Sequence, residues 1–190
     1  MRAIVRGVSQ SYADALAKYF GTGPTRLEEA RLQHSAYVKK LQELGVVVKE
    51  IEAHDDYPDC CFVEDHAVVA GDSVLITNVG HDTRLGEAEA VQKALGEDLN
   101  LVFMDSEGRM DGGDVLQFDN QFLVGHSKRT NEAGIQCLKE FVESRGFTLH
   151  VIEVQSNSLH LISICTSPSP GILLAPEGWF QQSDFPSNSE

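Results

Sequence analysis

Two periods of apolar residues succeed each other along the chain. In "TRLEEARLQHSAYVKKLQELG" (25–45), Leu27, Ala30, Leu41 and Leu44 fall on one helical face. Thr25 and Glu28 stand at capping-box spacing, and Gly45 supplies the stop. The run "VVVKEIE" (46–52) then reads as a strand. After a polar stretch, "CCFVEDHAVVAGDSVLITN" (60–78) reads as two apolar strands bent at Gly71-Asp72. The same order returns twice. A helix at 83–96 and a strand at 99–105 lead to a hairpin at 111–127 that turns at Asp119-Asn120. A helix at 130–146 and a strand at 148–154 lead to a hairpin at 159–178 that turns within Ser167–Gly171.

Helix starts near 25, 83 and 130 give a period of about 50 residues, a repeat of structure rather than of sequence. Such units bury their faces either around an axis, as in a propeller-like ring, or in a three-layer α/β sheet. In each copy the unusual polar residues stand where the first hairpin strand begins. They are Asp59, Glu64 and Asp65; the "DGGD" from Asp111 to Asp114; and the segment from Asn157 to His160. Glu64 and Asp65 lie inside a run that reads as a buried strand, where an uncompensated carboxylate is costly. In a ring with pseudo-symmetry, these acids and the histidine converge on one cavity, with Asp59 at its edge.

Composition narrows the partners. The chain has 190 residues, 42% hydrophobic and 23% charged, which suits one sizeable globular domain over 1–178 with an irregular tail at 179–190. Its 15 Lys+Arg against 29 Asp+Glu leave a net charge of −14, unfavourable for nucleic acid and for anionic membranes. The N-terminus lacks the apolar core of a signal peptide, and no apolar run approaches the roughly 18 residues of a membrane helix. The four cysteines, Cys60, Cys61, Cys137 and Cys165, follow neither a disulfide nor a zinc spacing, so a reducing cytoplasm and no metal are expected.

Paired carboxylates in a closed pocket suit a guanidinium, whose planar fork takes parallel hydrogen bonds. A nearby histidine can move protons near neutral pH. If the ligand is an amino acid, its α-carboxylate calls for arginines at the rim. Arg84 and Arg129 stand at equivalent places, each at the entrance to the next helix.

Together "PDCCFVEDHAVV", "DGGDVL", "GHSKRTNEAG" and "LHLISIC" resemble dimethylarginine dimethylaminohydrolase, within the arginine deiminase and amidinotransferase superfamily. The resemblance runs from the start to about residue 178. It implies an α/β fold, a pentein-like five-fold ββαβ propeller of which this chain carries about three of five repeats. It also implies cleavage of dimethylarginine to citrulline and dimethylamine by a covalent cysteine mechanism without a cofactor. By resemblance, Asp59 contacts the substrate amines, Glu64 also orients the histidine, and Asp65 binds the guanidinium. Arg84 and Arg129 hold the amino-acid end, and Leu16 corresponds to a leucine of a lid loop. His160 resembles the general acid/base. The chain departs from the family pattern at Asn78, where Arg is common, and at Ile162, where Lys is common.

The family nucleophile is a cysteine of the fifth repeat, which this sequence is expected to lack. On a straight strand Cys165 faces away from His160; Cys137 is on the apolar side of a helix; Cys61 is flanked by acids that suppress a thiolate. The expectation is a chain inactive by itself that presents the substrate half of a site and self-associates through an open propeller edge. Two alternatives stand beside it: a non-catalytic guanidinium- or partner-binding fragment, and a related deiminase or amidinotransferase.

Overall fold

The computed structural model describes residues 1–16 and 25–186. Its α-carbons fall into two compact units. One takes Met1–Val63 and Asp82–Asp98; the other takes Glu64–His81 and the chain from Leu99 onward. No helix among the described residues is long and apolar enough to cross a membrane.

In the first unit, strand β1 (Arg2–Arg6) pairs in parallel with β2 (Val47–Ile51), and α1 (Leu27–Glu43) joins them along the chain. Parallel partners need such a crossover. β1 escapes a sequence reading because its partner lies about 45 residues away, a pairing that no local period announces. α1 starts without the expected capping box: its N-cap is Arg26, with no side-chain cap bond. No α1 residue is fully buried, and Leu44, expected on the apolar face, is 72% exposed. The expected helix at 83–96 opens as a 3-10 turn, Asp82–Glu87, before α2 (Ala88–Leu95). Side chains at i and i+3 eclipse in a 3-10 turn, which suits the ion pair Arg84 forms with Glu87.

The second unit contains two sheets of one design. Hairpin β3 (Ala67–Ala70) and β4 (Ser73–Ile76) adds β5 (Asn100–Phe103) in parallel to β4. Hairpin β6 (Val115–Phe118) and β7 (Gln121–His126) adds β8 (Thr148–Glu153) in parallel to β7, after α3 (Glu132–Glu143). A third hairpin, β9 (Thr166–Ser169) and β10 (Ile172–Leu174), forms its own sheet. The first two hairpins thus each pair with the strand that follows, whereas the sequence reading grouped each hairpin with the helix and strand before it. The three hairpins lie in separate sheets rather than in one continuous sheet.

The run at 62–69 is not a strand with acids at its centre. Val63–His66 form a 3-10 turn, and the ladder begins only at Ala67. Thr77 joins the turn to the ladder: its N–H donates to His66 O at 3.1 Å, in register with the β3–β4 pairing, and its hydroxyl donates to Asp65 O at 2.7 Å. The same device precedes the other hairpins, as Gly112–Asp114 and Leu161–Ser163. The strand parity expected for Cys165 therefore does not apply. Cys165 instead packs into an apolar cluster with Phe118, Leu123, Ile152 and Leu161. Phe180 and Phe185, in the segment expected to be an irregular tail, pack on the same cluster.

Candidate functional site

The 3-10 turns bring three polar side chains of the second unit together. Asp65 comes from the first turn, Asp111 caps the second, and His160 caps the third. One ligating atom of each lies within 4.8 Å of the other two, and all three residues are buried. A 3-10 turn at a strand entrance leaves its first N–H groups unpaired within the turn, so polar side chains and tight turns gather there.

Asp111 is the hub. Its Oδ1 accepts the Gly80 N–H at 2.6 Å. Its Oδ2 faces His160 Nε2 at 3.0 Å and accepts Arg129 Nη1 at 3.2 Å. Burial works against the Asp111 carboxylate, yet the His160 hydrogen bond, the Gly80 amide and the His160 and Arg129 charges bring it below the usual range. Burial would likewise lower His160. The Asp111 hydrogen bond and the charges of Asp65, Asp114 and Asp111 outweigh it and raise the imidazole above 6.5. The shift favours the protonated imidazole, the state a general acid needs.

Asp65 Oδ1 accepts the Gly113 N–H at 3.0 Å. Gly113 must be glycine: a Cβ there would stand 2.5 Å from His160 Nδ1 and 2.9 Å from Asp65 Oδ1. The glycine of "DGGD" is thus the spacer that lets an acid and the histidine approach one another. The Asp111 oxygen that faces His160 already accepts a guanidinium, so this donor set suits an organic cation better than a metal ion.

The first unit holds Leu16, Asp59 and Arg84. Asp59 is buried, and both its oxygens accept the Leu16 N–H, at 3.1 and 3.2 Å. Tyr12 is pushed above its ordinary value by burial and by the nearby Cys61 and Asp59 charges. Arg84 is 4% exposed, and its guanidinium donates to Glu87 through Nε and Nη2, the shortest contact being 2.9 Å. Nη2 also reaches the carbonyls of Asp59 and Phe62.

Comparison with known proteins decides the kinship. A sequence profile described as N,N dimethylarginine dimethylhydrolase, eukaryotic, matches residues 12–168. The chain is 35% identical over 189 residues to the N(G),N(G)-dimethylarginine dimethylaminohydrolase of Streptomyces coelicolor, covering 98% of this chain and 71% of that one. The chain belongs to the dimethylarginine dimethylaminohydrolase family. That family comprises amidine-hydrolysing enzymes. An uncharacterised protein of Aeropyrum pernix is 32% identical over 83% of this chain, which spans only 58% of that relative's length. The fold superposes on the Pseudomonas aeruginosa family member, solved as a Cys-to-Ser mutant complexed with citrulline. The TM-score is 0.90 at 25% identity, over 96% of this chain and 72% of that one.

Of the expected site residues, the second unit brings Asp65 and His160 together through Gly113 and reaches Arg129 through Asp111. Glu64, on the same turn as Asp65, is exposed. Asp111 and Asp114 received no individual role from sequence reasoning. The available signal was the register of "DGGD" with the other two polar segments, which marks an equivalent place but not a partner.

Proposed function

We propose that this chain supplies the guanidinium-recognition and proton-transfer part of a dimethylarginine dimethylaminohydrolase. In this reading Asp65 receives the guanidinium of a methylated arginine. His160, held protonated by Asp111, donates to the departing dimethylamine, and Arg129 holds the substrate carboxylate. One observation carries the reading: a buried histidine with a raised pKa stands against two buried carboxylates in a member of this family. The citrulline bound to the Pseudomonas relative supports a product of this class. Leu16, Asp59, Glu64 and Arg84 take the substrate-contact roles of the family within the same proposal. The three separate hairpin sheets support reading the architecture as about three repeats of the five-fold propeller; a cytoplasmic location and self-association at an open edge belong to the same proposal.

The nucleophilic thiolate, in this proposal, is none of the chain's four cysteines. Burial pushes the Cys165 thiol up to about 11, which leaves almost no thiolate at neutral pH. Cys60 is buried with its Sγ near two backbone carbonyls, and Cys137 Sγ lies 3.7 Å from a carboxylate oxygen of Asp105. The test is citrulline release from dimethylarginine by the chain 1–190, beside its C61S and C165S variants. Background-level release from all three is expected. Turnover that disappears in one variant would overturn the claim and identify the nucleophile. The same features favour the second reading, a non-catalytic guanidinium binder, which predicts dimethylarginine binding without citrulline.

A further inference from the structure

Asp114 closes the 3-10 turn Gly112–Asp114 and is fully buried. Among the described residues its hydrogen bonds go neither to the His160 ring nor to the Arg129 guanidinium, yet its carboxylate ties both of their backbones. Its Oδ1 accepts the Leu161 N–H at 3.0 Å, from the residue next to His160. Its Oδ2 accepts the hydroxyls of Ser127 (2.6 Å) and Thr130 (2.7 Å). Ser127 Oγ in turn accepts the Arg129 N–H at 3.0 Å. His160 has no side-chain cap for the turn that follows it, so the first N–H of that turn finds its acceptor 47 residues away in sequence.

We infer that Asp114 is a positioning residue, whose buried carboxylate fixes the two segments carrying His160 and Arg129 and sets its charge beside the His160 imidazole. This rests on the proposed role of His160 as the acid. Three donors on two oxygens suit an ionised carboxylate, which is an acceptor only and has about four lone-pair sites. No water shields a negative charge so buried, so it acts on the imidazole at longer range than a surface acid would. The charged groups facing His160 within the second unit are Asp65 and Asp111, each from its own turn, Asp114, and Arg129 acting through Asp111. Burial raises Asp114 itself, and the Ser127 and Thr130 hydroxyls oppose that rise. Losing either hydroxyl therefore weakens the clamp.

The test is NMR titration of the chain without substrate. The Asp114→Asn side chain keeps the shape and can still bond Ser127, Thr130 and Leu161, but it carries no charge. His160 should then lose proton affinity roughly three- to tenfold, as expected for removing one nearby buried charge. A purely structural role would lower the melting temperature and leave the His160 titration where it was. The native chain provides a second measurement if that variant fails to fold. The Leu161 amide proton shift should follow the Asp114 carboxyl titration, above the ordinary 3.8. An unchanged His160 titration in folded D114N, or a Leu161 amide indifferent to Asp114 ionisation, would overturn the inference. Dimethylarginine binding is read separately. Failure to bind with both NMR results intact would sink the proposed function and leave the role of Asp114 standing.

Discussion

Both units bury charge, and they do it differently. In the first, Arg84 and Glu87 stand one 3-10 turn apart, are 4% and 1% exposed at their side chains, and bond one another through several atoms. In the second, three carboxylates (Asp65, Asp111, Asp114) stand with one guanidinium and one imidazole, and the contacts run between separate turns. A local pair of matched charges holds the buried Arg84 side chain in place. A group assembled from distant segments, with a titratable member at its centre, has a protonation state that can change, and catalysis needs that. The contrast also separates the two arginines that looked equivalent in sequence. Arg129 shares one oxygen with His160, whereas Arg84 engages a whole carboxylate.

Breaking the local pair should have the largest effect. Glu87→Ala leaves the Arg84 guanidinium buried without its carboxylate and should cost about 3–5 kcal/mol, read by urea denaturation. If the variant is as stable as the native chain, Arg84 is not held by Glu87 for structural reasons, and the contrast between the units fails. Gly113→Ala comes next. Its methyl would overlap both His160 Nδ1 and Asp65 Oδ1, so the two must separate, at a cost of about 1–3 kcal/mol and with loss of guanidinium binding. Unchanged stability and binding would mean that the second unit is looser than its geometry shows.

A smaller effect sharpens the comparison through pH. The folded pKa of His160 is raised, so its stabilisation is complete below about 6.5, the unfolded value, and is lost as pH rises through the folded value. Asp111 is depressed, and its contribution is present above 3.8 and lost as pH falls through its lower folded value. Asp114 is raised by burial, so it favours the fold below 3.8 and ceases to do so as pH rises through its folded value. Stability measured by urea should therefore decline on the alkaline side of pH 6.5 in the native chain, and His160→Gln should flatten that decline. A decline that persists in the variant would place its origin in another group.

Much of this was legible in the sequence, and the misses share a cause. The three hairpins follow from alternating apolar runs and their turn residues, and α3 from its period. Asp119, at the bend the sequence marks, takes φ +50°. The 3-10 turns before the hairpins read as part of the hairpin strands because three or four residues carry too little period to tell the two apart. That error concealed the role of Asp111, since a turn and not a strand aims it at His160. The Arg84–Glu87 pair was missed because i,i+3 charges on a helix start usually face solvent. The parallel pairing of β1 depends on tertiary contact alone.

The central claim is that the Asp65–Asp111–His160 group receives a guanidinium. The most direct measurement is an NMR titration of the chain 1–190 with dimethylarginine at neutral pH, in native and Asp65→Asn forms. The account predicts that the Gly113 amide and the His160 ring shift together in the native chain, and that neither shifts in the variant. Equal shifts in both forms, or none in the native chain at millimolar ligand, would contradict it.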